Sequence, residues 1–492
     1  MFAFAVYDAA QHNLLLARDR LGIKPLYYAR TKDGFLAASE ARPLVHHLQP
    51  ALSREDFSAY EQWGACQDQN LIFSDISSLP AGHWGRVDAG GSITLGRYWP
   101  PKNLDAHYPA AEPTAEIRRL LEQAVQEHLL ADVPVAVLLS GGTDSSIITA
   151  LAAQKYRGQL QTFSVGFAEQ GFDESPYARI VASRYRTQHC AIRLTESEVL
   201  ASVVEGIRRM DLPTIDGLNT YVVSRAIAAR GIKVAISGLG GDELFGGYAS
   251  FRDVRWLRLL ACLPRTLFRA LGVVSPLARR LADMPGTTDT GTLALWRRRF
   301  WTDEMLASAG LSSAHQSSVT PPHLSGDFAP ISWAELTSYM RNTLLRDSDQ
   351  MSMACSIELR IPFLDHELVE YVLQLPEAEM RRWPGSKGLL IAACKDLLPE
   401  GVYNRRKMGF SLPMDHWMRG PLRSLVEESL SDVTELTPIR PAVVRKMRAQ
   451  FNAGGLHWTR LWSLVVLGHY LHKSAEGRQH KPESLCFEGW RP

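Results

Sequence analysis

Between residues 114 and 237, short and almost uninterrupted apolar runs alternate with amphipathic stretches, and few architectures accept that rhythm. The runs are VPVAVLL (133–139), TFSVGF (162–167), HCAIRL (189–194) and KVAIS (233–237). Helical periodicity separates them at 114–130, 145–156, 174–186 and 220–230, with a further helix opened by the capping-box pattern Thr195-Glu196-Ser197-Glu198. Strands apolar on both faces and separated by helices predict a parallel sheet covered on both sides. Ligands of such sheets bind at the carboxyl ends of the strands.

Residues 1 to about 100 have another texture. FAFAVYD, LLLARD, LYYAR, FLAAS, HWGRVD and SITLGRYW read as short strands, with turns at Lys32-Asp33-Gly34 and Gly90-Gly91 and a helical insertion near 53–64. This predicts an antiparallel sheet. Residues 100–113, rich in Pro, Ala and polar side chains, read as a linker. Beyond about 250 the periodicity is almost purely helical, interrupted by loop-like stretches at 285–292 and 312–330, and the last fifteen or so residues read as a tail. The expected division is 1–105, 106–475 and 476–492.

Composition serves mainly to exclude. Fifty-four Lys plus Arg against 52 Asp plus Glu leave a formal +2, too balanced for a nonspecific nucleic-acid or anionic-membrane binder. The run Arg297-Arg298-Arg299 reads as a solvated helix face. No signal peptide or membrane span is expected: MFAFAVYD has no basic leader, and the apolar stretch 257–281 is broken by arginines and two prolines. Six cysteines (66, 190, 262, 355, 394, 486) without a C-x-x-C pattern predict a reduced, cytoplasmic protein without a zinc site. His366-Glu367 opens like a zinc H-E-x-x-H, but the fifth residue is Glu370.

Two constellations carry chemistry. Ser140-Gly141-Gly142-Thr143-Asp144-Ser145-Ser146 stands where a buried strand ends and a helix begins. Glycines let backbone amides approach an anion, hydroxyls donate, and the helix N-terminus adds positive potential, so the segment predicts a phosphate site. Neither G-x-x-x-x-G-K-[ST] nor G-x-G-x-x-G occurs in the chain. The SGG-x-DSS turn resembles the pyrophosphate loop of ATP pyrophosphatases, which cleave ATP to AMP and pyrophosphate. The second constellation, Ser237-Gly238-Leu239-Gly240-Gly241-Asp242-Glu243-Leu244-Phe245-Gly246-Gly247-Tyr248, also follows a buried strand. Asp242 and Asp144 could together hold Mg²⁺, which usually takes one or two carboxylates beside phosphate oxygens. A plain Gly-Ser turn, or Asp242 as a mere helix cap, is the competing reading.

Together with Arg346-Asp347-Ser348-Asp349-Gln350-Met351-Ser352-Met353-Ala354, Arg360-Ile361-Pro362-Phe363-Leu364-Asp365 and Arg405-Arg406-Lys407-Met408-Gly409-Phe410, these motifs make the chain resemble glutamine-dependent asparagine synthetases over nearly its whole length. The resemblance implies an α/β protein. Part of an N-terminal-nucleophile glutaminase antiparallel sheet would precede a parallel-sheet, adenine-nucleotide α-hydrolase-like synthetase domain with a helical C-terminal part. It implies adenylation of the aspartate carboxylate by ATP and displacement of AMP by ammonia from glutamine. By position it implies that Ser140, Gly141, Gly142, Asp144, Ser145 and Ser146 hold pyrophosphate and Mg²⁺, with Asp242 the second acidic metal contact. Leu138, Val165, Ser237 and Gly238 would line adenine and ribose. Lys407 would stabilise charge near the acyl-adenylate, and Lys387 in Gly385-Ser386-Lys387 would touch the triphosphate. Asp173 and Glu174 would start a helix near the nucleotide, and Asp347 and Arg360 could equally form a structural pair.

Two positions depart from the family pattern. Leu239 stands where well-studied members carry a glutamate thought to help amide formation, and amide-forming relatives such as β-lactam-forming synthetases also vary this position. Position 2 is Phe2 where members carry the nucleophilic cysteine, and the family's glutamine-binding motifs lie upstream of its equivalent of MFAFAVYD. Half of the glutaminase sandwich is therefore expected to be missing, with a separately encoded half as one possible partner, an apolar sheet face uncovered, and ammonia as the nitrogen source for the 492-residue chain. Three readings compete: aspartate to asparagine, another carboxylate in surface-glycan or secondary-metabolite synthesis, and a non-catalytic nucleotide-binding remnant.

Overall fold

In the computed structural model the N-terminal strands are antiparallel, as expected, and divide between two sheets. The structure describes residues 1–99 apart from 33, 69 and 70; 112–167; 175–313 apart from 273 and 274; 324 and 326–403; and 412–479. Strands β1 (Ala3–Asp8), β2 (Asn13–Arg18), β6 (His83–Val87) and β7 (Ile93–Arg97) make one sheet, in that order. Strands β3 (Tyr27–Arg30), β4 (Phe35–Ala38) and β5 (Ser77–Ser78) make the other, ordered β4-β3-β5. Leu16, Leu26, Leu79 and Val87 form a small core that Leu14, Tyr28, Phe35 and Ile93 extend, so strands of both sheets contribute to it. Stacking of the two sheets buries one face of β2 and β6, at Leu16 and Val87, while β1 stays almost wholly exposed. By register Phe4, Val6, Leu15 and Trp84 share the other face of the four-stranded sheet, and all four are exposed.

Helices α1 (Ala41–Leu48) and α2 (Arg54–Trp63) follow β4; only the second was legible in the sequence. Their apolar residues join a large core with the C-terminal helices Arg423–Leu436 and Trp458–Gln479. The N-terminal strands are thus welded to the rest. Lys24 pairs with Asp349 at 2.6 Å, Arg346 donates to the Cys66 carbonyl at 2.6 Å, and Asn342 donates to Gln67 at 2.8 Å. Residues 100–111, most of the expected linker, lie outside the described residues.

The middle third folds as its rhythm predicts. Helix α3 (Pro113–His128), β8 (Val135–Leu138), α4 (Thr143–Lys155), β9 (Gln161–Phe167), α5 (Ser175–Arg184), β10 (Gln188–Leu194), α6 (Glu196–Arg209), α7 (Leu218–Ala228) and β11 (Val234–Ile236) succeed one another. The capping box at α6 is complete, Thr195 accepting from the Glu198 amide and Glu198 from the Thr195 amide. A fifth strand, β12 (Glu358–Arg360), escaped the sequence reading because three residues give no periodicity. The sheet order is β10-β9-β8-β11-β12, all parallel. From β8 the chain winds outward through β9 and β10 and then returns to β8's other side as β11. That reversal puts a crevice at the carboxyl ends of β8 and β11, where the two glycine-rich motifs begin.

After α8 (Gly241–Phe245), β12 is the only strand among the described residues and the remainder is helical. A ten-residue π-helical stretch, Leu336–Leu345, links the helices Phe328–Glu335 and Arg346–Met353. The last helix runs to Gln479, four residues into the expected tail, and 480–492 lie outside the described residues. The arginine run is not a solvated face. Arg297 pairs with Asp253 at 2.6 Å, Arg298 with the fully buried Glu335 at 2.8 Å, and Arg299 with Asp303. Among the described residues no helix is long and apolar enough to cross a membrane, and no cluster of three or more metal-ligating side chains forms.

Candidate active site

A cavity of 590 Å³ occupies the crevice between the ends of β8 and β11. Its floor is the turn that follows β8. Gly141 adopts φ +81°, a conformation glycine accepts without strain, and lets the chain reverse into α4. The Ser140 and Ser145 hydroxyls lie 3.0 Å apart, Ser145 donates to the Gly142 carbonyl at 3.2 Å, and the Gly142 amide donates to Ser140 Oγ at 3.3 Å. The loop is braced by these bonds among its own residues.

The second glycine-rich turn packs directly on the first. A Cβ at Gly238 would lie 2.8 Å from the Ser145 backbone nitrogen, and one at Gly241 within 2.7 to 3.0 Å of the Asp144 carboxyl atoms. These glycines are therefore dictated by contact between the two loops. Asp144 from the first turn of α4 and Asp242 from α8 converge on one cation, Lys387 Nζ, which pairs with Asp144 and lies 2.7 Å from Asp242. All three side chains are at most 16% exposed. Burial alone would pull the Lys387 pKa down, but the two carboxylates outweigh it and hold it above its ordinary value, so the side chain stays an ammonium. Lys387 has φ +58° at the start of the helix Gly388–Cys394, and a non-glycine residue in that region carries about 1–3 kcal/mol of strain.

Two carboxylates around one cation-sized point, beside hydroxyls and a helix N-terminus, suit Mg²⁺ held by protein and phosphate oxygens together. The donors are hard oxygens. Gly247 completes the cradle, since a Cβ there would sit 1.7 Å from Asp242 Oδ1 and 2.7 Å from Lys387 Cε. Gly247→Ala should therefore displace the carboxylate and weaken ATP-dependent turnover about tenfold, as expected for roughly 1–3 kcal/mol of overpacking. Steady-state kinetics against ATP concentration would show it.

Of the residues the sequence singled out, Leu138, Ser140, Gly142, Asp144, Ser145, Val165, Ser237, Gly238, Leu239, Asp242 and Lys387 line this cavity. Gly141 shapes the turn, and Ser146 lies behind it on α4, buried. Lys407, Asp173 and Glu174 fall outside the described residues; Tyr403, four residues before Lys407, does line the cavity. The expected Asp347–Arg360 pair gives way to separate partners. Asp347 accepts from Thr214 at 2.5 Å and pairs with Arg346 at 3.3 Å, while Arg360 pairs with Glu358 at 2.9 Å and donates to the carbonyls of His128 and Leu130. Both hold structure.

The sequence reading missed the far wall. Tyr248 donates to Glu243 at 2.5 Å, and both line the cavity. Burial pushes the Glu243 carboxyl up to about 7 against that hydrogen bond. Behind them the Arg298 guanidinium lies between the rings of Tyr248 and Tyr339, at 4.1 and 4.0 Å from their centroids. Glu243 and Tyr248 stand inside the motif already recognised. Arg298 and Tyr339 are distant in sequence, and nothing local marks them.

Comparison with known proteins gives a consistent result. The family model described as "Asparagine synthase" matches residues 116–474, and the model "Glutamine amidotransferase domain" matches residues 1–99. "Asparagine synthetase [glutamine-hydrolyzing] 1" of Bacillus subtilis is 27% identical over 452 residues, covering 88% of this chain and 71% of that protein. A "putative asparagine synthetase [glutamine-hydrolyzing]" of Mycobacterium tuberculosis is 30% identical over 499 residues, covering 95% and 75%. An "amidase", chyE, of Penicillium rubens is 29% identical over 489 residues, covering 87% and 71%.

Proposed function

The chain belongs to the asparagine synthase family and is a ligase, and from that premise we propose that it amidates a carboxylate with ATP through an acyl-adenylate, aspartate to asparagine being the leading case. The observation that carries this reading is the convergence of Asp144, Asp242 and Lys387 beside the Ser140–Ser145 turn, inside one cavity. That arrangement suits the polyphosphate of ATP, while Leu138, Phe163 and Val165 offer the apolar surface an adenine needs.

In this reading the carboxylate oxygen attacks the α-phosphorus, pyrophosphate leaves, and ammonia displaces AMP from the acyl carbon. Asp144 and Asp242 would hold Mg²⁺, which when bound supplies neutralising charge to the phosphates. Lys387 would turn from the carboxylates to the departing pyrophosphate, and Ser140 and Ser145 would donate to its oxygens. Lys407 keeps its assignment near the acyl-adenylate as part of the proposal.

The nitrogen donor for the 492-residue chain is proposed to be ammonia. Within residues 1–99 the single thiol is Cys66, which is buried and pushed up to about 11 by that burial, far from the range of a nucleophilic thiolate near neutral pH. A second reading, in which the acid is not aspartate, draws support from Leu239, an apolar wall residue where the family carries a glutamate. Phosphorus NMR on ATP, aspartate and ammonium chloride tests the proposal. AMP and pyrophosphate in equal amounts, formed only when acid is present, are expected; ADP and phosphate would refute it.

A further inference from the structure

Three consecutive helices carry apolar residues on their outward as well as their inward faces. The first, α9 (Ala249–Ala261), starts immediately after Tyr248, a wall residue of the cavity at the ends of β8 and β11, and α10 (Arg265–Leu271) and α11 (Pro276–Ala282) follow it. Their inward residues Phe251, Val254, Leu257, Phe268 and Leu281 join one core. On an ordinary surface helix the outward residues would then be polar. Here Trp256, Leu259, Leu263, Leu267, Leu271 and Leu277 are exposed, the first 70% and the last 68%. They make up a third of the large apolar side chains exposed among the described residues, yet they fall within 22 consecutive positions. Exposed leucines scattered singly need no explanation, whereas such a concentration marks an interaction surface.

Arginine accompanies them. Residues 249–282 hold seven arginines and one acid, Asp253, an excess that the formal +2 of the whole chain conceals. Part of it is met within the molecule: Arg258 pairs with Asp327 at 2.5 Å, Arg255 reaches Asp327 and Glu377 at 3.8 and 3.9 Å, and Arg252 pairs with Asp253 at 2.8 Å. Arg265, Arg269, Arg279 and Arg280 are exposed and meet no carboxylate among the described residues.

Tryptophan and leucine beside unpaired arginine suit a lipid interface, where the apolar groups enter the acyl boundary and the guanidinium groups meet phosphate. Single-stranded nucleic acid would need ring faces for its bases, and the patch offers one tryptophan among five leucines. A second copy would bring the same positive charge against this one. We propose that α9, α10 and α11 dock this protein onto the surface of a membrane that contains anionic phospholipid. They lie on the bilayer without crossing it, since among the described residues no helix is long and apolar enough to span. Trp256 stands about 12 Å along the helix from Tyr248, so the docked surface is close to the cavity wall. The inference does not depend on the reaction proposed above.

Flotation of the full chain with vesicles tests it, using phosphatidylcholine alone and phosphatidylcholine mixed equally with phosphatidylglycerol. Binding to the mixed vesicles should be roughly tenfold tighter or more. Most of that difference should vanish at about 1 M salt, where the Debye length falls to about 3 Å. Trp256→Ser with Leu259→Ser should weaken binding to the mixed vesicles roughly tenfold, and so, separately, should Arg265→Gln with Arg269→Gln. All four side chains are exposed, so the midpoint of thermal unfolding should not move. No flotation, equal flotation with both kinds of vesicle, or binding that survives both double substitutions would refute the inference, the last by assigning the lipid contact to another surface. It is equally wrong if the chain self-associates in sedimentation velocity, Trp256→Ser with Leu259→Ser makes it monomeric, and neither protein floats, since the patch would then be a protein interface.

Discussion

Asp144→Asn is expected to lower carboxylate-dependent ATP–pyrophosphate exchange on the order of 10³-fold, the scale of removing a principal electrostatic group from such a site. The protein should stay folded. In the ligand-free site two carboxylates share the Lys387 ammonium, so removing one charge leaves a neutral Lys387–Asp242 pair rather than an orphaned ion. The double variant Asp144→Asn with Asp242→Asn differs, because it strands a buried ammonium. It should lose about 3–5 kcal/mol of stability, the cost of breaking a buried pair by removing its partner. Urea unfolding of the two proteins separates the cases. Exchange undiminished in Asp144→Asn would remove the metal and pyrophosphate assignment.

Leu239→Glu is the second large effect, and its sign is a gain. Leu239 lines the cavity at the ends of β8 and β11, between Gly238 and Gly240, and it packs partly against the main core. The resemblance implies a glutamate there that assists amide formation with ammonia. Restoring it should raise aspartate amidation by ammonia about 10²-fold, with 10⁴-fold the ceiling for general acid–base groups. Initial rates at saturating ammonium chloride measure it. No gain, or rapid use of aspartate by the unaltered chain, would show that the position does not govern the reaction. It would also withdraw the support Leu239 lends to an acid other than aspartate.

What the sequence made legible, and what it hid, follows from the range of each interaction. Strands β8, β9 and β11 were readable because burial on both faces of a sheet imposes a local apolar run, whereas the edge strand β10 buries only Ile192 and was read from the alternation of helix and strand. The two glycine turns were readable because contact between Gly238 and Ser145, and between Gly241 and Asp144, forbids side chains at fixed positions. The three-residue β12 gave no such signal, and the second N-terminal sheet depends on which strands stack, a matter of tertiary packing. Lys387 was placed near the triphosphate by resemblance, but its bridging of Asp144 and Asp242 joins residues 243 positions apart in one case and was not foreseen. Arg298 was misread as solvated. Charge alone suggests water, whereas Glu335 and two tyrosine rings, all distant in sequence, enclose most of it.

The central claim is that this cavity activates a carboxylate as its adenylate. Exchange of labelled pyrophosphate into ATP tests it without any nitrogen donor, because only the reversible first half-reaction is needed. With Mg²⁺ present, aspartate or another single carboxylic acid should switch the exchange on, and omission of the acid should switch it off. Exchange independent of every acid offered, or ATP consumed with no exchange at all, would contradict the account.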